Sequence, residues 1–463
     1  MKPTALSLFS GLGGLDIGVE MAGFNILGAV ELNPHACRSL RINRRFARQQ
    51  EKLITLIRQH EKSKSRRQAS RPHWIALRDN VNTGRYCKDT LVYDRDIASL
   101  DRKNLGRLTR GRDVDLVFGG PPCQSFSMSG QRQSVYDKRG MLFVEFARIV
   151  SIVRPRYVLL ENVKGILSSR ADIWKTKCLD CDNQWMPALL AEDEAAEVCP
   201  KCNSSSTKQF ISAKAHKGGA MQLIENEFTW QGYRCSYSVW NSVFFGAAQR
   251  RERMLMIFSR HDMPFIASSH DTEKQEFVQN SLFQAELPKS NPIIPLKTQP
   301  KSLREALIQC NQHSEAISSP KACLWLRNVV RPHDEPVTWT LDQPAPTIGA
   351  HQAAKLAIAP NGVPDAQIRL QQWHTLGNRL GKGNQLDVTY EFLSDEALLA
   401  LQTFPLDWAV SGTRMERVFQ IGNAVPPVLG KAVASLIAGS PCFVDGSETI
   451  KTLNLANLTP LAA

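Results

Sequence analysis

The stretch GGPPCQSFS at 119–127 carries the most reactive side chain in an informative setting. Gly119-Gly120 ends an apolar run, and Pro121-Pro122 stiffen the turn that follows, because proline fixes φ. Cys123 therefore stands at a strand's carboxyl edge, where open α/β sheets bind ligands. A cysteine is more often a small buried hydrophobe, but a place between two prolines and a polar turn fits burial poorly. The chemistry it offers is nucleophilic attack by a thiolate. Glu161 lies at the end of the next apolar run, RYVLLENV at 156–163, and so should face the same cleft. QRRERM at 249–254 places Arg251 and Arg253 at alternate positions, on one side of an extended segment. The two arginines equally suit a surface salt-bridge strip.

A second set of residues reads as a ligand cradle. Phe9-Ser10-Gly11-Leu12-Gly13-Gly14 follows the first apolar run directly, and glycine lets backbone turn sharply and approach a ligand. Gly11, Gly13, Gly14 and Gly18 fit G-x-G-G better than the dinucleotide G-x-G-x-x-G, which argues against a nicotinamide dehydrogenase. Glu31 closes the second strand, where a carboxylate can grip ribose hydroxyls or be a solvated loop charge.

A third set has metal-ligand spacing. Cys178-x2-Cys181 and Cys199-x2-Cys202 are separated by seventeen residues, and four thiolates complete a closed tetrahedral zinc site. Structural Zn2+ is the expectation, because a closed site leaves no position for catalysis.

These groups need a scaffold. TALSLF, SGLGG, LDIGVEMAG and NILGAVE read in order as strand, turn, helix and strand. Further short apolar runs are DVDLVFGG at 113–120, RYVLLENV, YSVWNSVFF at 237–245 and RMLMIFS at 253–259, with helical spacing over 141–154. This alternation implies an α/β fold, a doubly wound and mostly parallel sheet with helices on both faces. Insertions are expected at about 41–90 and 170–217, the latter zinc-ribbon-like. The catalytic domain should span 1–284, a smaller recognition domain with its linker 285–418, and a returning helix plus tail 419–463.

Composition fits a polyanionic partner. The 463 residues carry a formal net charge of +13, and Lys and Arg replace counterions on phosphates. Residues 41 to 71 hold eleven Lys or Arg against Glu51 and Glu61, so the excess is concentrated in one segment that could equally be a solvated helix. No leader and no membrane span is expected, so the expected location is cytoplasmic.

FSGLGG, GGPPCQSFS, ENV, QRRER and QIGNAVPP together resemble the cytosine-5 DNA methyltransferase family, in its order and approximate spacing. The similarity covers residues 4 to about 40, 91 to 168, 219 to 262 and 390 to 438. It implies an S-adenosylmethionine-methyltransferase fold acting on double-stranded DNA. By resemblance, Cys123 adds to carbon 6 of a flipped-out cytosine, Glu161 binds or protonates N3, and Arg253 contacts O2 with support from Arg251. Cofactor contacts carried over are Phe9, the turn Gly11, Leu12, Gly13 and Gly14, Glu31, Asp96, Ile97, Pro121, Leu142 and Asn423. Ser7 stands where the family often has Asp, and Leu32 where it often has an aromatic residue. The resemblance also implies a monomer in a bacterial restriction–modification system, with a restriction endonuclease of the same target as companion. Target specificity is expected in residues about 320 to 392. A tRNA cytosine-5 methyltransferase and a non-catalytic nucleic-acid-binding relative are the alternative readings.

Overall fold

The computed structural model describes residues 2–63, 86–122, 141–190, 198–267, 300–310, 317–326, 338–349, 356–361, 391–440 and 442–443, with side chains of the second helix described to residue 49. Cys123 and the segment after it to residue 140 lie outside the described residues, as does most of 320–392.

Seven strands form the main sheet: β1 (Thr4–Leu8), β2 (Asn25–Val30), β3 (Leu91–Tyr93), β4 (Leu116–Gly119), β5 (Tyr157–Asn162), β9 (Tyr233–Asn241) and β10 (Glu252–Arg260). Their order is β3-β2-β1-β4-β5-β10-β9. β1 to β5 run parallel, whereas β10 is antiparallel to both its neighbours. This departs from the dinucleotide order 3-2-1-4-5-6, because a later, reversed strand is inserted before the edge.

The strands are continuous apolar runs because both faces are covered. Alternate residues divide between two cores. On one face Leu6, Leu8, Val117, Val158 and Leu160 pack with residues of α3 (Arg102–Thr109), α4 (Met141–Val153) and α5 (Gly219–Trp230). On the other, Ala5, Leu116, Phe118 and Leu159 pack with α1 (Gly14–Met21) and α9 (Pro427–Ala438). The expected doubly wound α/β arrangement is therefore present. Contact between α1 and α9 depends on glycine: a Cβ at Gly18 would meet Pro427 O at 2.6 Å and Lys431 N at 2.5 Å.

The apolar segment expected as one returning helix over 419–438 is two helices. α8 (Arg414–Asn423) starts earlier, at a capping box between Thr413 and Glu416, and ends before Ala424. Pro426 and Pro427 then open α9, where a missing N–H costs nothing. By length and composition Arg414–Ala438 could cross a membrane, but 72% of its most apolar window is buried in protein, so it reads as a core element. The strand expected over 237–245 stops at Asn241, and Ser242–Phe245 is a 3-10 turn capped by the Asn241 side chain.

Two small sheets lie beside the main one. β6 (Arg170–Cys178), β7 (Gln184–Trp185) and β8 (Thr207–Lys217) form an antiparallel sheet within the expected 170–217 insertion. β11 (Cys323–Leu326), β12 (Thr338–Thr340), β13 (Leu356–Ala359) and β14 (Glu391–Phe392) form the other. Leu324, Leu341 and Ile358 share a core with α6 (Leu303–Gln309), α7 (Asp395–Leu401) and Leu12, Ile17 and Ala248 of the first region. The basic segment begins as α2 (Pro34–Ser63), a single long helix. Part of its charge is used locally, in ion pairs of Arg41 with Asp94 at 2.8 Å and Arg48 with Asp89 at 3.9 Å.

Candidate active site

The carboxyl ends of the parallel strands collect most of the candidate residues along one edge. Phe9 to Gly14 follow β1, Glu31 follows β2, Asp96 and Ile97 follow β3, and Gly120 to Pro122 follow β4. Glu161 is the penultimate residue of β5. β10 runs the other way, so its beginning, not its end, reaches this edge. Its pairing sets Leu255 opposite Glu161 and Met254 opposite Asn162. The reversal therefore brings Arg253 to the glutamate.

Arg253 Nε lies 2.8 Å from Glu161 Oε1, with both side chains largely buried. Two effects oppose each other at this carboxyl. Burial disfavours its charged form, while Arg253 and Arg251 favour it. Burial wins, and the Glu161 pKa is raised above the ordinary carboxylate value.

The approach to Cys123 touches this group. A Cβ on Gly120 would lie 2.5 Å from Glu161 Oε2, and one on Gly119 would lie 2.0 Å from the Leu8 carbonyl oxygen. Gly119 is thus required by the approach of backbone, whereas a Cβ at Gly120 would displace the Glu161 carboxylate. Asn162 Nδ2 donates to the Pro121 carbonyl at 3.2 Å, tying the Pro-Pro turn to β5. Although Cys123 itself is outside the described residues, the chain two residues before it is fixed to the Glu161-Asn162 pair.

Arg251 has a different task from Arg253. It is 1% exposed, and its terminal nitrogens donate to the carbonyls of Ile348 at 3.1 Å and Gly422 at 2.9 Å. Burial, then the neighbouring Arg253, lower its pKa to about 9. It braces three distant parts of the chain behind the site. Gln249 does similar work: its Oε1 accepts from Ile348 N at 2.9 Å and its Nε2 donates to the Leu401 carbonyl at 3.3 Å. Ala248 and Arg250 exchange backbone hydrogen bonds with Ala345, both at 2.8 Å. Residues 344–349, PAPTIG, thereby run alongside QRRER. Neither Gln249 nor Asn162 was singled out from sequence, although both sit inside the quoted motifs QRRER and ENV.

In the Gly-rich turn, Phe9 is held at φ 57 and Gly11 at φ 54. A Cβ at Gly11 would meet nothing within 4 Å among the described residues, so the turn borders open space there. Glu31 organises this turn. One carboxylate oxygen accepts from Gly11 N at 2.7 Å, the other from Leu32 N and Asn33 N at 2.9 and 2.8 Å. Asp96 caps the 3-10 turn at Ile97–Ser99 by accepting from Ala98 N. Leu142 is half-buried in α4, Pro121 is buried, and Asn423 is exposed at the end of α8. Gly18, grouped with the turn by spacing, serves helix packing instead. Behind the turn, Asp16 is buried beside the Ser7 and Ser10 hydroxyls, and among the described residues neither carboxylate oxygen has a partner at full hydrogen-bond geometry. Burial raises its pKa to about 7, against the lowering influence of Ser7 and Ser10.

Away from this edge, Cys178, Cys181, Cys199 and Cys202 converge, their sulfurs all within 4.8 Å of one another.

Comparison with known proteins decides what kind of site this is. Residues 4–66, 85–181 and 211–439 match the C-5 cytosine-specific DNA methylase family, together well over half the chain. The chain belongs to that family. It is a DNA (cytosine-5)-methyltransferase. Its relatives include the Type II methyltransferase M.AquIA of Picosynechococcus, 30% identical over 263 residues, covering 56% of this chain and 73% of that protein. The Type II methyltransferase M1.HphI of Haemophilus parahaemolyticus is 26% identical over 446 residues, covering 94% of this methyltransferase and 87% of the relative. A solved putative DNA modification methyltransferase from an E. coli prophage overlays with a TM-score of 0.45 at 16% identity, covering 94% and 98% of the two chains. The break in the family match at 182–210 falls within the three-stranded sheet and contains two of the four clustered cysteines.

Proposed function

We propose that this methyltransferase methylates carbon 5 of a flipped-out cytosine in a specific double-stranded DNA sequence, through a covalent adduct with Cys123. Two relatives are named Type II methyltransferases, which supports a place in a restriction–modification system.

The observation that carries this reading is Glu161, buried and held 2.8 Å from Arg253 beside the Pro121-Pro122 turn; burial raises its pKa above the ordinary carboxylate value, the direction that favours the protonated form. Aromatic cytosine is a poor nucleophile at carbon 5. Addition of the Cys123 thiolate to carbon 6 breaks the conjugation and moves an electron pair toward carbon 5. Glu161 gives or shares its proton at N3, so negative charge does not build up on the ring. Arg253, already held against Glu161, stabilises the oxygen side of the ring. Loss of the carbon 5 proton after methylation lets the Cys123 thiolate leave and restores aromaticity. The thiol can reach carbon 6 only if the base leaves the duplex, hence base flipping.

The open space at Gly11 and the Glu31-bound turn suit S-adenosylmethionine. When bound, it supplies the electrophilic methyl group taken up by carbon 5. Phe9, Gly11, Leu12, Gly13 and Gly14 would line its site with Glu31, Asp96, Ile97, Pro121, Leu142 and Asn423. Residues about 320 to 392, within the 285–418 recognition domain and linker, would read the DNA target, positioned by the contacts of PAPTIG with QRRER.

The test is transfer of labelled methyl groups from S-adenosylmethionine to duplex DNA and, in parallel, to tRNA. Label on DNA carbon 5 is expected. Label confined to tRNA would overturn the DNA assignment, and none on either would overturn the activity.

A further inference from the structure

We propose that Cys178, Cys181, Cys199 and Cys202 form a structural Zn2+ site that holds the 170–217 insertion together. This does not rest on the reading of the active site. Three observations carry it.

The first is sulfur geometry. Cys178 Sγ lies 3.5 Å from Cys202 Sγ, and Cys181 Sγ lies 3.6 Å from Cys199 Sγ, with all four within 4.8 Å of one another. A disulfide would need about 2.05 Å. Four sulfurs at about 2.3 Å from one zinc sit roughly 3.8 Å apart at the corners of a tetrahedron. The observed separations lie near that spacing.

The second is that the two Cys-x2-Cys turns repeat one another. The residue after each second cysteine, Asp182 at φ 55 and Asn203 at φ 56, adopts the left-handed conformation. Five residues on from each first cysteine, the chain closes in the same way. Cys178 N donates to Asn183 O and Cys199 N to Ser204 O, both at 2.8 Å. The backbone N–H groups of Lys201 and Cys202 point to the Cys199 sulfur. Two turns of identical design facing each other make a four-sulfur cage rather than a chance cluster.

The third is the small size of the core that the described residues of this sheet form. The buried apolar cluster of this sheet consists of Cys178, Trp185 and Cys199, with Cys181 packed against it. So small an interior does not hold a unit of this size unaided, and a metal bound at its centre contributes folding free energy directly. The chain after the first turn is anchored at its other end on α5. Leu189 N donates to the buried Glu227 carboxylate at 2.6 Å, and Trp230 Nε1 donates to the Met186 carbonyl at 2.9 Å. Zinc would fix one end of this segment and the helix the other.

Soft thiolates select zinc among abundant divalent ions, and four protein ligands leave no open position, so the role is structural. Metal analysis of the full chain purified from zinc-supplemented culture should find one zinc per chain. Cobalt exchanged into the wild-type chain should give the thiolate charge-transfer and visible bands of a tetrahedral Co2+ site. The double variant Cys199→Ser, Cys202→Ser should lose the zinc. Substoichiometric metal, a non-tetrahedral cobalt spectrum, cysteines paired as disulfides, or full zinc retained by the double variant would each overturn the site. Should the variant fail to fold, the cobalt spectrum of the wild-type chain still decides.

Discussion

Arg253 Nε lies 2.8 Å from the Glu161 carboxylate, yet the glutamate's pKa is raised because burial outweighs the paired charge. Replacing the carboxyl by an amide removes the proton but keeps the shape. Glu161→Gln should retain its fold by circular dichroism and lose methyl transfer by roughly 10²–10⁴-fold. Activity within a few-fold of wild type would show that N3 is not served by this residue.

Gly120 and Gly18 separate the site from the scaffold. A Cβ at Gly120 meets the far end of the Glu161 side chain, whereas one at Gly18 meets three backbone atoms of α9. Gly120→Ala should lower turnover at least tenfold with little change in Tm. Gly18→Ala should show the opposite balance, a fall in stability of several kcal/mol, on the order of other overpacked core sites. Thermal unfolding beside steady-state turnover checks both. Equal effects in the two variants would contradict the division.

Arg251 is expected to act on stability more than on chemistry. Arg251→Met leaves the buried Ile348 and Gly422 carbonyls without their donor, at a cost of about 2–4 kcal/mol. Denaturant unfolding measures this. A variant as stable as wild type would mean that the brace carries no weight.

Asp16 gives a pH signature. Its pKa is about 7 in the folded chain against 3.8 for an unhindered aspartate, through burial. Between those values the unfolded chain releases a proton that the folded chain keeps, so the contribution of Asp16 to stability falls as pH rises. Asp16→Asn should remove this slope, so that its stability advantage over wild type grows from pH 4 to pH 7 and then levels off. Unfolding curves across pH check this, and a constant difference would contradict it.

Local signals were legible in the sequence, and long-range ones were not. A helix expected over 141–154 is α4 at Met141–Val153, and a strand expected over 253–259 is β10 at Glu252–Arg260. Apolar periodicity is a property of neighbours in the chain, which is why these spans could be read. The reversal of β10, which alone brings Arg253 to Glu161, depends on pairing with a strand about ninety residues earlier. No local pattern encodes it. Gly18 has the same difficulty in reverse. It looked like part of the cofactor turn, but its constraint comes from α9, some four hundred residues on. Glu161 and Arg253 are legible as candidates because their motifs are rich in chemistry. Asn162 and Gln249 were passed over because an amide is informative only once the carbonyl it bonds is known.

The most direct test of the covalent mechanism is trapping. Duplex DNA carrying 5-fluorocytosine at the target blocks release, because fluorine cannot leave as a proton does. Incubated with S-adenosylmethionine, the wild-type chain should form a stable protein–DNA adduct that peptide mass spectrometry locates at Cys123. Cys123→Ala should form none and should not methylate unmodified DNA. Methyl transfer retained by that variant, or an adduct on another residue, would contradict the assignment.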